Sequence, residues 1–233
     1  MQATLEAAVD GVYAAFAGYR RPTDIDYCGH CVRPGVVEGL LAPTPLREIP
    51  AERFHGYMSD VLSTAGSLAD FRYFLPRILH LAVTGGFDDH HGRDMILGKF
   101  VLGEWRDWPE GEQQAVTAFL HAWWRTTLMR FPADPAPDDL LDSIDDVEDD
   151  LGPYLRMWED ALVTHTGASH LREFVLHNFE RKGRRYWMSG LRWRTDTTVL
   201  TWLGGLSSTV AATAETVTDE ETYDVLLEVL TLL

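Results

Sequence analysis

The sequence predicts an all-α protein of about ten short helices, and three observations carry that expectation. Apolar residues recur at helical spacing, as with Leu5, Val9, Val12 and Phe16 at i, i+4, i+7 and i+11. Helix punctuation recurs with them, as prolines near starts, glycines past ends and acids in first turns. No stretch sustains the apolar–polar alternation of a half-buried strand. Short amphipathic helices in series stack most simply as antiparallel pairs, in an α-solenoid-like array or a compact helical bundle. No repeated motif marks the pairs, so any repeats are degenerate.

Leu5 to Phe16 opens the chain as a helix, which the prolines and glycines of YRRPTDIDYCGHCVRPG end. A short helix is expected over 36–41. Pro50 suits a first helical position, from which a helix continues to Gly66. Ser67 with Asp70 three residues on resembles a capping box opening the next helix. Inside that helix Pro76 predicts a kink or break near Tyr73. GGFDDHHGRD reads as a loop and 95–104 as a helix.

DWPEGEQQAVTAFLHAWWRTTLMRF has the strongest helical pattern, with Pro109 and acids at its start. Val116, Leu120, Trp123 and Thr127 to Phe131 run along one face of it. PADPAPDD, with three prolines in eight residues, marks a linker at 132–137. It is the one candidate subdomain boundary in a single helical domain spanning 1–233. Helices are then expected over 138–149, 153–163 and 168–188, the last open to interruption at Gly183. Two more follow over 197–203 and 208–216. A final helix starts at Asp219, with Tyr223, Leu226, Leu227, Leu230 and Leu233 as its apolar stripe.

Hydrophobic content of 45%, aromatic content of 11% and eight tryptophans supply apolar volume for a true core. The net charge of −16 argues against nucleic-acid binding and against an anionic membrane surface, since both demand clustered positive charge. It suits a basic protein partner. The start, MQATLEAAVDG, has neither a basic nor an apolar leader region, and no apolar run approaches a membrane span. Two cysteines in 233 residues suit a reducing compartment, so the expectation is a soluble, cytoplasmic protein.

Both cysteines stand in YCGHCV, at Cys28 and Cys31. C-G-H-C is the motif of disulfide isomerases, but there a strand precedes it and a helix continues from it. Here Pro34 and Gly35 follow at once, and the context speaks against an isomerase. Two thiolates so spaced also make half of a structural zinc site, with His30, His55 or a carboxylate completing it. The plainest reading is a turn whose small thiols pack under a loop.

The same stretch carries a resemblance. CGHCVRP, the PLRE segment at Pro45 to Glu48 and the YFLPRIL helix at Tyr73 to Leu79 resemble an uncharacterised group of bacterial all-helical proteins. The resemblance covers roughly residues 28–130. It implies a helical, HEAT-like fold and brings no activity with it.

Three further constellations are candidates for chemistry, each with a plainer reading as a solvated face or an ordinary connector. Asp145, Asp146 and Asp149 form a D-D-x-x-D, the spacing with which terpene synthases hold magnesium against a diphosphate. The basic run Arg181 to Trp187, with Arg184 and Arg185, would then grip the phosphate. Against this, Leu140, Leu141, Ile144, Val147 and Leu151 make an apolar face that leaves the acids on a solvated side. Next, His170, Glu173, His177 and Glu180 fall on one helical face, a spacing seen in di-iron bundles, though no second Glu-x-x-His is present. The loop FDDHHGRD gathers Asp88, Asp89, His90, His91 and Asp94.

The function expected is a protein-binding module of immunity, inhibitor or adaptor type. Residues 134–160 hold eleven acids against one base, Arg156, enough to steer a basic partner. Asp138, Asp142, Asp145, Asp146 and Asp149 are the candidate contacts, with Trp124 as an aromatic anchor beside the differently pointing Trp123. The alternative is a metal-dependent enzyme acting on a phosphorylated or diphosphate substrate through the Asp145–Asp149 cluster. No cofactor is expected beyond the zinc considered at Cys28, Cys31 and His30.

Overall fold

The computed structural model describes residues 4–33, 35–87, 93–182, 185–188 and 197–233. The protein is all-α: eleven α-helices are described, joined by short loops and single 3-10 turns, with one short antiparallel hairpin as the exception. The chain divides into two units, Met1–Trp123 and Trp124–Leu233. The division falls inside a helix, not at the proline-rich 132–137 segment. Among the described residues no helix is long and apolar enough to cross a membrane.

The first unit begins with α1 (Leu5–Ala15), which packs on α4 (Leu68–Val83). Val9, Val12 and Phe16 are buried, as their spacing requires. The capping box at the start of α4 is formed. Ser67 Oγ accepts from the Asp70 amide at 3.2 Å, and Asp70 Oδ2 accepts from the Ser67 amide at 2.7 Å. The helix continues through Pro76 without the break expected near Tyr73, and Pro76 itself is buried. Packing on that face overrides the local cost of a missing amide.

Between them lie α2 (Glu38–Leu41) and α3 (His55–Asp60). The helix expected as far as Gly66 therefore stops at Asp60. Leu62 sits at φ 65°, and Ala65 makes bridges to both Tyr27 and Val61. Lys99 of α5 (Arg93–Leu102) closes this end, donating from Nζ to the Ser59 and Val61 carbonyls at 3.2 Å each. Its burial pushes the amine below its ordinary pKa. Phe54, Phe71, Phe74, Phe100 and Trp108 form an edge-to-face aromatic core, with centroids 5.7–6.4 Å apart in the pairs Phe54–Phe74, Phe71–Trp108 and Phe71–Phe100.

The helix α6 (Glu110–Leu128) holds the unit boundary, and its adjacent tryptophans serve different clusters. Trp123 meets Phe119, whereas Trp124 meets Tyr154 and Trp158. Both are buried. Successive helical positions are rotated by about 100°, so one residue can belong to each core.

The second unit contains α7 (Pro137–Asp145), α8 (Gly152–Ala161), α9 (His165–Asn178), α10 (Thr197–Ala214) and α11 (Glu220–Leu232). In it α11 packs on α9 and α10. Trp158 is its hub, at 5.4 Å from Trp124, 5.1 Å from Phe174 and 5.7 Å from Trp202. A Cβ on Gly167 would stand 2.2 Å from the Ala161 carbonyl oxygen, so this close approach of α9 to the end of α8 requires glycine.

Three expectations change here. The helix expected over 168–188 ends at Asn178, and Phe179–Lys182 (β1) pairs with Arg185–Met188 (β2), Lys182 opposite Arg185. The two helices expected over 197–216 are one, because Gly204 and Gly205 sit inside α10 without ending it. On α11 the buried stripe is Thr222, Val225, Leu226, Val229 and Leu233, leaving Tyr223 and Leu227 exposed.

Candidate functional site

In the second unit α9, the first turn of α7 and the segment before it surround a cleft of about 360 Å³. That is the lower end of the size range of small-ligand pockets. The α9 side contributes His170, Glu173, Phe174 and His177, at i, i+3, i+4 and i+7 on one face. Phe131 and Pro132 supply an apolar wall, and Asp138 and Asp139 stand at the rim on the first turn of α7. There the free amide groups and the helix dipole favour negative charge. Of the residues expected to act, the structure thus brings Asp138 from the acidic segment to the His170–Glu173–His177 face.

Each of these side chains is held. Asn178 Nδ2 donates to Asp138 Oδ2 at 3.2 Å. Arg172 grips Glu173 Oε1 from Nη2 at 2.9 Å and reaches Glu228 from Nη1 at 3.0 Å. His177 Nδ1 lies 3.7 Å from Glu173 Oε2. The Phe131 ring meets the His170 ring edge-on at 5.0 Å. No lysine or arginine is among the described residues that line the cleft. Its lining is half-apolar, with rings within and carboxylates at the rim, of which Glu173 is already paired with Arg172 from outside the lining.

His170 is only 4% exposed and donates from Nε2 to the Arg130 carbonyl. Burial pushes its pKa below the ordinary 6.5, against the opposing pull of the Arg130 and Thr127 carbonyls. The folded state therefore binds fewer protons than the unfolded chain just below that pH. Its contribution is fully present above the unfolded value and is lost as pH falls toward the folded one. Urea midpoints at about pH 7.5 and about pH 5 should show this, with His170→Gln losing less stability on acidification than the wild type. Equal losses in the two proteins would mean that His170 is not a buried neutral imidazole.

The other expected site residues are placed differently. The helix α7 ends at Asp145, Asp146 is its cap and Asp149 lies beyond it. Asp145, Asp146 and Asp149 therefore do not lie on one continuous helical face. Leu140, Leu141, Ile144, Val147 and Leu151 are all buried, as the apolar pattern requires. Several acids serve the fold. Glu148 accepts from the Tyr154 hydroxyl at 3.1 Å, Glu159 from Trp202 Nε1 at 2.7 Å, and Asp150 from the Gly152 amide at 2.8 Å.

Asp142 is half-buried with one carboxylate oxygen shielded from solvent. Trp124 is not a surface anchor. It is 0% exposed and donates from Nε1 to the Tyr154 carbonyl at 2.9 Å. The expectation that only one of Trp123 and Trp124 is deeply buried fails for the same reason, each having a core to enter.

Cys28, His30 and Cys31 lie together in one turn of the first unit, all three exposed. The thiols therefore do not pack under a loop. Among the described residues no group of three or more His, Cys, Asp or Glu is arranged to hold a metal ion. His55 of α3 stands against the Phe87 ring instead, at 6.3 Å. Asp88 to His91 and Arg184 lie outside the described residues, as do the side chains of Asp94, Glu180 and Arg185.

Sequence reasoning missed Phe131, Pro132 and Phe174 as parts of the cleft, and Asn178 as the donor that holds Asp138. The pairing of α9 with the linker is long-range, and nothing local in the linker announces it. Comparison with protein families, with curated proteins and with solved structures finds no match.

Proposed function

We propose that the protein is a binding module for a basic partner, of inhibitor or adaptor type, and that the α7–α9 cleft receives a lysine or arginine side chain of that partner. The observation that carries the reading is the lining of the cleft. Asp138 and Glu173 stand over an apolar wall of Phe131, Pro132 and Phe174, while Arg172, which pairs with Glu173, lies outside the lining. A long basic side chain matches both halves, laying its aliphatic stem on the rings and its charged head against the carboxylates. The surrounding chain strengthens the field, since a net charge of −16 attracts a cationic surface over about a Debye length, ~8 Å at physiological salt. The cytoplasmic setting and the solenoid-like stacking of the helices complete the proposal.

A short synthetic arginine-rich peptide serves as the probe. The wild type should bind it, with affinity falling steeply as salt rises. Asp138→Asn with Glu173→Gln should weaken binding roughly tenfold or more, ~1.4 kcal/mol or above. Binding that survives both the substitutions and moderate salt would overturn the reading.

A further inference from the structure

We propose that Cys28 and Cys31 form a redox-active dithiol that exchanges with low-molecular-weight disulfides, Cys28 attacking and Cys31 resolving. The context that speaks against an isomerase concerns the elements around the motif. The turn itself meets the chemical requirements by other means.

Both thiols are free and exposed, so a small disulfide can reach them. Their turn is closed by two hydrogen bonds to the Cys28 carbonyl, from the Cys31 amide at 3.0 Å and the Val32 amide at 2.9 Å. Such a turn holds its first and fourth Cα within ~7 Å, overlapping the roughly 4.4–6.8 Å that a disulfide spans. The turn is pinned on its inner side. The Cys28 amide donates to the Thr64 carbonyl and the Gly66 amide to the Asp26 carbonyl, each at 2.8 Å. Ile25 and Val32 are buried on either side. The sulfurs are thus presented outward from an anchored frame.

The two thiols are also unequal. The Cys31 thiol, then the backbone amides of His30 and Cys31, face the Cys28 sulfur and hold its pKa below the ordinary thiol value. The same contact raises that of Cys31. The amides and the thiol that face the Cys28 sulfur stabilise a thiolate there, which assigns the attack to Cys28 and the resolving step to Cys31.

The reaction balances. The Cys28 thiolate attacks one sulfur of R–S–S–R, forming a mixed disulfide and releasing one R–S⁻. Cys31 gives up its proton to the first released R–S⁻, attacks the Cys28 sulfur and releases the second R–S⁻, which takes a proton from water. Two protein thiols are oxidised to one disulfide, and one small disulfide is reduced to two thiols.

The test is intact-mass spectrometry of the native protein treated with oxidised glutathione, alongside Cys31→Ser and Cys28→Ser. The wild type should lose the mass of two hydrogens and retain no glutathione. Cys31→Ser should stop at one glutathione, mapped to Cys28, and Cys28→Ser should react more slowly. A wild type that stays a dithiol, or serine variants modified at equal rates, would overturn the proposal. So would zinc bound at about one equivalent with both thiols protected. Should either variant melt below the wild type, timed alkylation of the wild type decides instead. Cys28 must be labelled ahead of Cys31, and equal labelling overturns the assignment.

Discussion

Replacing Trp158 with alanine should cost the second unit about 3–5 kcal/mol, the loss typical of a large aromatic removed from a core. The residue is fully buried, and it touches the rings of Trp124, Phe174 and Trp202. Its Nε1 also donates to the Gly167 carbonyl at 3.2 Å. Alanine would therefore leave both a cavity and an unsatisfied carbonyl. Collapse to fill the space is obstructed, because Gly167 already lies against the Ala161 backbone. Trp158→Phe keeps a ring in place and gives up the indole donor, so its cost should fall well below that of alanine, at about 1–2 kcal/mol. Urea unfolding of the three proteins measures both quantities. An alanine loss below about 1.5 kcal/mol would mean that Trp158 is not the hub.

In the first unit Arg72→Leu should cost about 3–5 kcal/mol, because it strands a carboxylate in the interior. Arg72 Nε lies 3.6 Å from Glu112 Oε2, an ion-pair distance longer than a hydrogen bond, with both side chains largely buried. The Tyr19 hydroxyl joins them, accepting from Arg72 Nη1 at 2.8 Å and donating to Glu112 Oε1 at 2.8 Å. The guanidinium also stands 4.6 Å over the Trp108 ring. Removing both charges is a different matter. Arg72→Leu with Glu112→Leu should recover a large part of the single-variant loss, since no uncompensated charge remains. Additive losses from the two single variants would show the pair to be uncoupled.

Much of the fold is legible in the sequence wherever burial is decided locally. The spacing of Val9, Val12 and Phe16, the Ser67–Asp70 box and the apolar face from Leu140 to Leu151 all reappear as read. The failures share a cause in tertiary contacts. Pro76 is tolerated because its face is buried, and the helix of 55–60 stops early because Ala65 pairs with the distant Tyr27. The α11 stripe shifted because Val225 and Val229, not Leu227, face the packed side.

The hairpin after Asn178 was hidden by its own composition. FERKGRRYWM has many charges and little apolar contrast, so no period-two signal could rise from it. The cleft was half-legible. The spacing of His170, Glu173 and His177 puts them on one face and the acidic run offers Asp138 as a contact, but their meeting depends on where the 132–137 segment returns. No local signal encodes that return. Trp124 shows the opposite limit, since adjacency predicts divergence of two side chains but not that each will find a core.

The most direct test of the central claim is capture of partners on tagged wild type and on Asp138→Asn with Glu173→Gln, each at low and moderate salt. The account predicts one partner rich in lysine and arginine, bound in proportion to the wild type, released as salt rises and absent from the variant. The same partner held equally by both proteins, or indifferent to salt, would contradict it.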